Sequence, residues 1–294
     1  MDKKITRRVV LGIAIGGLVA GPFAIRFYRN KRGHNIVSED RYAEVDFLPD
    51  FATSEASKDN LKEAFDVFMS ERKRWLQFRG ISAQIKIDSH YTAQGSNAQD
   101  IKLADAGYLD MIFTEISPKS EDVFFPYKYD LAYSQPKGKN IWTYEFDRNS
   151  NEAKFSGKKI EAANPKMISE ILANQFEFFS DMTNVNVQNA LSLWNVEVDS
   201  NDPRSFSFAS NGELTSDGFS LPKIVFRNGH LSEFHSKSKQ GRPVSVSSYE
   251  EYVDCGGFFA PSKYTFLFEG GESNDNRVKI LISLNLSDIV IHHA

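Results

Sequence analysis

Histidine and acidic side chains could bind a metal ion in this chain, but their spacing does not form a site. His230 and His235 lie five positions apart in predicted strands, and an odd spacing places them on opposite faces. The segment beginning at Asp147 starts like a calcium-binding loop. However, Glu152 stands where such a loop needs glycine, and Lys158 stands where it needs a bidentate glutamate. Because a metal site needs several converging ligands, the sequence predicts none.

Nucleophiles and acid–base pairs are the second kind of chemistry to consider. Cys255 is the only cysteine, and it follows Asp254 without a basic neighbour to stabilise a thiolate, so we expect a structural thiol. The adjacent carboxylates at 121–122 and 250–251 are typical of solvated surfaces. The sequence contains no nucleophile elbow, phosphate-binding glycine loop or dinucleotide fingerprint. We therefore predict no catalytic residue and no cofactor, with an enzyme of unrecognised site as an alternative.

Aromatic residues form the most informative pattern. The chain holds 24 Phe and 11 Tyr, and Trp142, Tyr144 and Phe146 alternate with other residues in one predicted strand. Alternation places these three rings on one face of the strand. Phe176 and Phe179 fall on the apolar face of a predicted helix. These five residues are the candidate ligand-binding set. Either they line a cavity for an apolar ligand, or they pack beneath the helices.

Periodic apolar residues predict the elements that carry these side chains. A stripe at 3.6-residue spacing predicts helix 57–79, and Asn164 followed by Pro165 predicts the start of a helix over 164–180. A second short helix is predicted near 184–195. Alternation and turn residues predict strands on both sides of this helical part. The predicted strands cover residues 81–88, 108–116, 128–134, 140–147, 205–210, 221–227, 231–237, 244–252, 262–269 and 277–285.

Charge is divided unevenly along the chain. The first 32 residues hold eight of the 35 basic residues and one of the 39 acidic residues. The remainder therefore carries 27 basic and 38 acidic side chains, a net charge of −11. A body this acidic is repelled by phosphate backbones, so nucleic acid is excluded as a partner.

The N-terminal segment has the pattern of an export signal. Arg7 and Arg8 stand directly ahead of an apolar run over residues 9–25, which is at the short limit for spanning a bilayer. The pair resembles the twin-arginine class of leader, which implies passage through the twin-arginine translocase of an already folded protein. We predict that residues 1–30 are such a signal or an uncleaved membrane anchor. Residues 31–56 are polar and without period, and are predicted to be a linker.

The order of elements and the local features of residues 224–284 resemble the LolA/LolB-like lipoprotein-carrier superfamily. In this part of the chain, one strand turns at Asn228-Gly229 into the next. The segment that contains Tyr252, Gly256 and Pro261 is similar to a sequence motif that links the last strands in distant relatives of the family. The resemblance extends over roughly residues 57–290.

The resemblance implies an α+β fold for a domain over residues 57–294 with a helical insertion at 164–198. The sheet is expected to be antiparallel and strongly curved, a half-open β-barrel, with the helices covering its concave face. The resemblance also implies an apolar cavity for acyl chains. We therefore predict an exported, non-enzymatic protein of the periplasm that holds a lipid or lipoprotein acyl chain. The alternative is a structural or interaction module of the cell envelope without a ligand cavity.

Overall fold

The structure is a computed structural model, and two helices and twelve strands make up the part of the chain that it describes. The leader, residues 31–55 of the predicted linker and residues 184–193 of the predicted second helix lie outside this part. The described residues are 56–94, 98–116, 127–135, 139–148, 150–162, 164–180, 194–210, 219–238, 244–270 and 277–294.

Both helices begin where the capping residues predict. Helix α1 spans Lys58–Leu76, and the hydroxyl of Ser57 accepts a hydrogen bond from the backbone N–H of Asn60 at 3.2 Å. Helix α2 spans Pro165–Ser180, and its first turn is capped by Asn164. Helix α1 ends three residues earlier than predicted, because the chain enters the first strand directly after Gln77.

All twelve strands belong to one sheet in which every hydrogen-bonded pair is antiparallel. The order across the sheet is β5-β4-β3-β2-β1-β12-β11-β10-β9-β8-β7-β6. The strands are β1 Phe78–Ala93, β2 Gln99–Ile116, β3 Tyr127–Gln135, β4 Lys139–Asp147, β5 Glu152–Gly157, β6 Trp194–Val198, β7 Phe206–Ser210, β8 Phe219–Arg227, β9 His230–Ser238, β10 Val244–Asp254, β11 Phe259–Gly270 and β12 Val278–His293.

This architecture corrects the predicted fold class. The α+β prediction of a half-open barrel is wrong, because a single curved sheet of twelve strands dominates the described residues and only two helices accompany it. The sheet does not close, since β5 and β6 are its two edges. Strand β6, at Trp194–Val198, also occupies the end of the segment that we assigned to a helical insertion. The protein is a mostly β fold.

Contacts of α2 require the sheet to curve. On one side of α2, the hydroxyl of Tyr129 in β3 donates to Ser169 Oγ at 2.8 Å. On the other side, Asn174 Nδ2 donates to the hydroxyl of Tyr249 in β10 at 2.7 Å. Strands β3 and β10 are five steps apart in the sheet order, which corresponds to roughly 24 Å in a flat sheet. A helix with its side chains is only about 10–12 Å across, so the sheet wraps around α2.

Helix α1 packs beside α2 on the same face. Phe68 of α1 contacts Phe179 of α2 at 5.8 Å between ring centroids, and it contacts Phe208 of β7 at 5.5 Å. Near the end of α1, the buried carboxylate of Glu71 lies 2.6 Å from the Arg74 guanidinium and 3.2 Å from Nδ1 of His230 in β9. Helix α1 is therefore fixed to the sheet and to α2 by aromatic contacts, and to β9 by the contact between Glu71 and His230.

The predicted Asn-Gly hairpin is present between β8 and β9. Asn228 and Gly229 both have positive φ angles, 51° and 83°, as a two-residue turn of this type requires. Arg227 and His230 are partners at the ends of the two strands. This turn fixes the register of the β8–β9 pair.

Candidate ligand site beneath helix α2

The candidate site begins with the paired strands β3 and β4. Trp142 is opposite Tyr133 and Phe146 is opposite Tyr129, so their side chains share one face. The rings of Trp142 and Tyr133 are stacked, with centroids 5.4 Å apart and an interplanar angle of 17°. Tyr144 lies between these two pairs on β4 and is buried as well. The strand pair thus presents a continuous aromatic face.

Helix α2 covers one end of this face. The ring of Phe176 lies 4.8 Å from Phe113 and 5.6 Å from Tyr127, and Phe146 also contacts Tyr127 at 6.5 Å. Phe176 therefore shares an aromatic layer with the β4 rings. Phe179 points elsewhere, into the contact between the two helices. The structure thus assembles four of the five predicted residues on the β3–β4 side and places the fifth in the helix–helix interface.

Polar groups of α2 meet this aromatic face, and sequence reasoning missed them. The hydroxyl of Tyr127 donates to Glu177, and that of Tyr129 donates to Ser169 Oγ at 2.8 Å. The guanidinium of Arg148 lies over the Tyr127 ring, 4.9 Å from its centroid. The alternation of tyrosines along β3 could have indicated that this face carries hydroxyl groups, because tyrosine adds a polar tip to an apolar ring.

Several polar atoms on or beside this face are buried without a hydrogen-bond partner in the described structure. They include the indole Nε1 of Trp142, the hydroxyl of Tyr144 and Oε2 of Glu170. The other oxygen of Glu170 lies 3.6 Å from the Nζ of Lys166. A buried polar atom without a partner costs about 1–3 kcal/mol, and folded proteins keep few of them. Other atoms of this kind lie elsewhere in the described core, at Nε of Arg74, Nε1 of Trp75 and Oε1 of Gln175.

The electrostatics of this corner centre on Glu170. Burial raises the pKa of its carboxyl from 4.5 to about 7; nearby Lys166 opposes this rise and Glu177 adds to it. The pKa of the Tyr144 hydroxyl is also raised, mainly because the hydroxyl is buried and to a smaller extent because the Glu170 carboxylate is nearby. The carboxylate of Glu170 thus adds to the effect of burial in keeping the Tyr144 hydroxyl protonated.

The residues considered for other chemistry do not converge. Within the described residues, no group of three or more His, Cys, Asp or Glu side chains could hold a metal ion. His235 Nε2 lies 2.7 Å from a carboxylate oxygen of Glu233, its neighbour on the same strand. The pKa of the Cys255 thiol is raised, mainly by burial and to a smaller extent by the Asp254 carboxylate. A raised pKa disfavours a nucleophilic thiolate.

The two arginines that were predicted to form the export signal, Arg7 and Arg8, lie outside the described residues. Of the helices that the structure does describe, none combines the length and the hydropathy needed to cross a bilayer.

Comparisons with known proteins give weak similarities only. No protein-family model and no curated protein matches the chain. Among solved structures, it is similar to a DUF1329 family protein from Desulfovibrio piger, with a TM-score of 0.35, 9% identity and coverage of 78% of this chain and 92% of that one. A putative outer membrane lipoprotein-sorting protein domain from Vibrio parahaemolyticus gives a TM-score of 0.35, 7% identity and coverage of 79% and 93%.

A LolA superfamily protein from Nitrosomonas europaea gives a TM-score of 0.30, 9% identity and coverage of 76% and 93%. At TM-scores this low, the similarity establishes neither the family nor the ligand.

Proposed function

We propose that this protein is an exported, non-enzymatic binding protein that holds the apolar chain of a lipid or lipoprotein against the inner face of β3 and β4. One observation carries the proposal. The aromatic face beneath α2 contains three buried polar atoms, on Trp142, Tyr144 and Glu170, that have no partner among the described residues. An amphiphile supplies both an apolar chain for the rings and a polar end for these atoms.

The energetics of such a ligand favour binding. Transfer of each methylene from water to an apolar site contributes about 0.8 kcal/mol, so a chain of about ten carbons has enough apolar surface for stable binding after the entropy of association is subtracted. Aromatic rings such as Trp142 and Phe176 offer large, rigid contact surfaces. The acidic body, net charge −11 after residue 32, disfavours nucleic acid and anionic membrane surfaces as partners.

Export is part of the same proposal and is supported by the leader sequence. Arg7 and Arg8 precede the apolar run, and the polar linker over 31–56 separates it from the domain over 57–294. In this arrangement the translocase carries the folded domain across the inner membrane. The domain then works in the periplasm, released if the leader is cleaved and anchored if it is not.

A second candidate, an interaction module of the cell envelope, is favoured by a different observation. On the face of the sheet opposite the helices, Tyr108 and Ile112 of β2 and Val290 of β12 are 46%, 39% and 55% exposed. The β2 and β12 residues are brought together by β1, where Gly80 pairs with Ile112 and Ser82 pairs with Val290. Exposed apolar side chains that share one surface are typical of contact sites.

The test is to purify the untruncated protein from producing cells in detergent-free buffer and to analyse the extracted material by mass spectrometry. We expect co-purified lipid, and we expect Trp142→Ala and Phe176→Leu to lower the retained amount several-fold. Tyr108→Ala is the matched control, since it removes an aromatic side chain from the opposite face. Circular dichroism verifies that each variant is folded. A protein that carries no lipid and binds no neutral fluorescent apolar probe would contradict the proposal and favour the interaction module.

A further inference from the structure

The face of the sheet opposite the helices, which we call the outer face, carries an apolar patch of three exposed side chains, Tyr108, Ile112 and Val290. Tyr108 and Ile112 lie four residues apart on β2, or about 13 Å along the strand. Val290 lies on β12, two strand spacings away across β1, or about 9.5 Å. This width is close to the diameter of one helix with its side chains. A partner helix that lies along the strands can therefore cover the whole apolar patch.

Two carboxylates, which we call the acidic pair, continue the outer face beyond this patch. Ile112 is the register partner of Asp130 on β3, and Asp130 is the register partner of Glu145 on β4. Directly opposed side chains share one face of a sheet, and like charges in such a pair repel each other. The pKa of the Asp130 carboxyl is raised, first by its partial burial and then by the Glu145 carboxylate. The sheet thus holds two like charges side by side at the edge of the apolar patch.

Cations of the described residues compensate this repulsion poorly. Asp130 has no ion-pair partner among them. Glu145 lies 3.9 Å from the Nζ of Lys154 on the edge strand β5, and the Lys154 side chain is 80% exposed. An ion pair between exposed side chains contributes little. The acidic pair is therefore open to a cation from a partner.

The other charged groups at the apolar patch already have partners. The hydroxyl of Ser82 donates to the Asp110 carboxylate, and Nε2 of His292 lies 2.8 Å from the same hydroxyl oxygen. Oδ2 of Asp288 accepts from Nε2 of Gln84 at 2.6 Å. The patch consequently has an apolar centre that is bordered by more carboxylates than cations.

We infer that the outer face binds an amphipathic, cationic segment of a partner protein, whose apolar side chains cover the apolar patch and whose lysine or arginine side chains meet the acidic pair. A cation between two carboxylates relieves their repulsion, whereas an anionic segment would add to it. The inference rests on the second candidate function, the interaction module, and deepens it because it names the chemistry of the partner. It leaves the opposite face of β3 and β4 free for a lipid.

The experiment measures the binding of three fluorescein-labelled peptides to the untruncated protein by fluorescence anisotropy. Each peptide has about 14 residues, or about 21 Å as a helix, with leucine on one face and lysine, glutamine or glutamate on the other. We expect the lysine peptide to bind at least about tenfold more tightly than the glutamine peptide. The glutamate peptide should bind most weakly. The advantage of the lysine peptide should shrink as salt is added, because salt screens exposed charges.

Paired variants distinguish the acidic pair from the general negative charge of the protein. Asp130→Asn combined with Glu145→Gln should weaken binding of the lysine peptide about tenfold and leave the glutamine peptide unchanged. The matched control is Glu250→Gln combined with Glu269→Gln, which removes the same charge from β10 and β11, where each carboxylate is already paired with a lysine. The control should change binding of the lysine peptide by less than about twofold.

A third variant tests the apolar patch. Ile112→Thr keeps the β-branched shape that suits a strand and places a hydroxyl in the patch, so the lysine and glutamine peptides should both bind about fivefold more weakly. Circular dichroism verifies that every variant is folded. If Ile112→Thr leaves binding of both peptides unchanged, the outer face is not the docking site and the inference is overturned.

The remaining outcomes separate the inference from the functions proposed above. If the lysine and glutamine peptides bind equally, or if the control weakens binding as much as the change in the acidic pair does, the inference is overturned. The interaction module then stands wherever Ile112→Thr still weakens binding. If none of the three peptides binds, the inference and the interaction module are both overturned. The lipid-binding function is decided separately by the co-purified lipid.

Discussion

Replacing Glu170 with glutamine should stabilise the fold at pH 8 and leave it unchanged at pH 4. The folded protein raises the pKa of this carboxyl from 4.5 to about 7, so the folded state holds the proton more tightly than the unfolded chain does. Between about pH 4.5 and 7, the unfolded chain therefore releases the proton first, and the free energy of unfolding falls as the pH rises. Below pH 4.5, both states are protonated and the penalty is absent.

The magnitude follows from the size of the rise in pKa. A change from 4.5 to about 7 corresponds to about 3 kcal/mol at pH 8. This net rise already includes the opposing effect of Lys166, whose ion pair with Glu170 the glutamine loses. We therefore expect Glu170→Gln to raise the free energy of unfolding by about 3 kcal/mol at pH 8.

The measurement is urea unfolding followed by circular dichroism from pH 4 to pH 8.5, for the wild type, Glu170→Gln and a control. Glu63→Gln is the matched control, because it makes the same replacement at an exposed glutamate of α1. A difference between Glu170→Gln and the wild type that does not change with pH would refute the reasoning. So would a variant that is less stable than the wild type at pH 8.

Two further predictions concern hydroxyl groups and export. Tyr144→Phe should leave the free energy of unfolding within about 0.5 kcal/mol of the wild type or raise it, whereas Tyr129→Phe should lower it by about 1 kcal/mol. The reason is that, of these two hydroxyls, only that of Tyr129 has a hydrogen-bond partner. Equal losses of stability in urea unfolding would contradict this difference. Replacing Arg7 and Arg8 together with lysine should retain the precursor in the cytoplasm, as cell fractionation and immunoblotting would show. Export of the double variant in cells without the twin-arginine translocase would refute that assignment.

Helix and strand positions were largely predictable where one face of an element is buried. The stripe in α1 and the alternation in β1 and β4 each indicate one apolar face, and all three elements form. Strand β5 was missed because it is an edge strand whose side chains are almost all exposed, with Phe155 alone partly buried. Strand β6 was missed because its first two residues fall in the predicted helix near 184–195 and the other three in the segment assigned to the helical insertion.

The arrangement of the strands was not predictable in the same way. Alternation indicates which side chains of a strand are buried, but it does not indicate which strand lies beside it. Strand β1 pairs with β12, so that Ile81 meets Ile291 across more than 200 residues of chain, and no local pattern encodes that contact. The α+β prediction failed for a different reason: twelve strands form one open sheet, and only two helices accompany it in the described residues.

The candidate site shows the same division between local and long-range information. Sequence alone placed Tyr144 on an aromatic face, but phenylalanine would bury a similar apolar surface without needing a hydrogen-bond partner. Tyrosine at four positions of β3 and β4 therefore needs a reason, and three of the hydroxyls have one: Tyr127 donates to Glu177, Tyr129 to Ser169, and Tyr133 to Asp105 at 3.0 Å. The fourth hydroxyl, that of Tyr144, has no partner among the described residues although it lies in the same buried face. This exception becomes visible only when α2 is placed over the strands, and it is the feature of the aromatic face that packing alone does not explain.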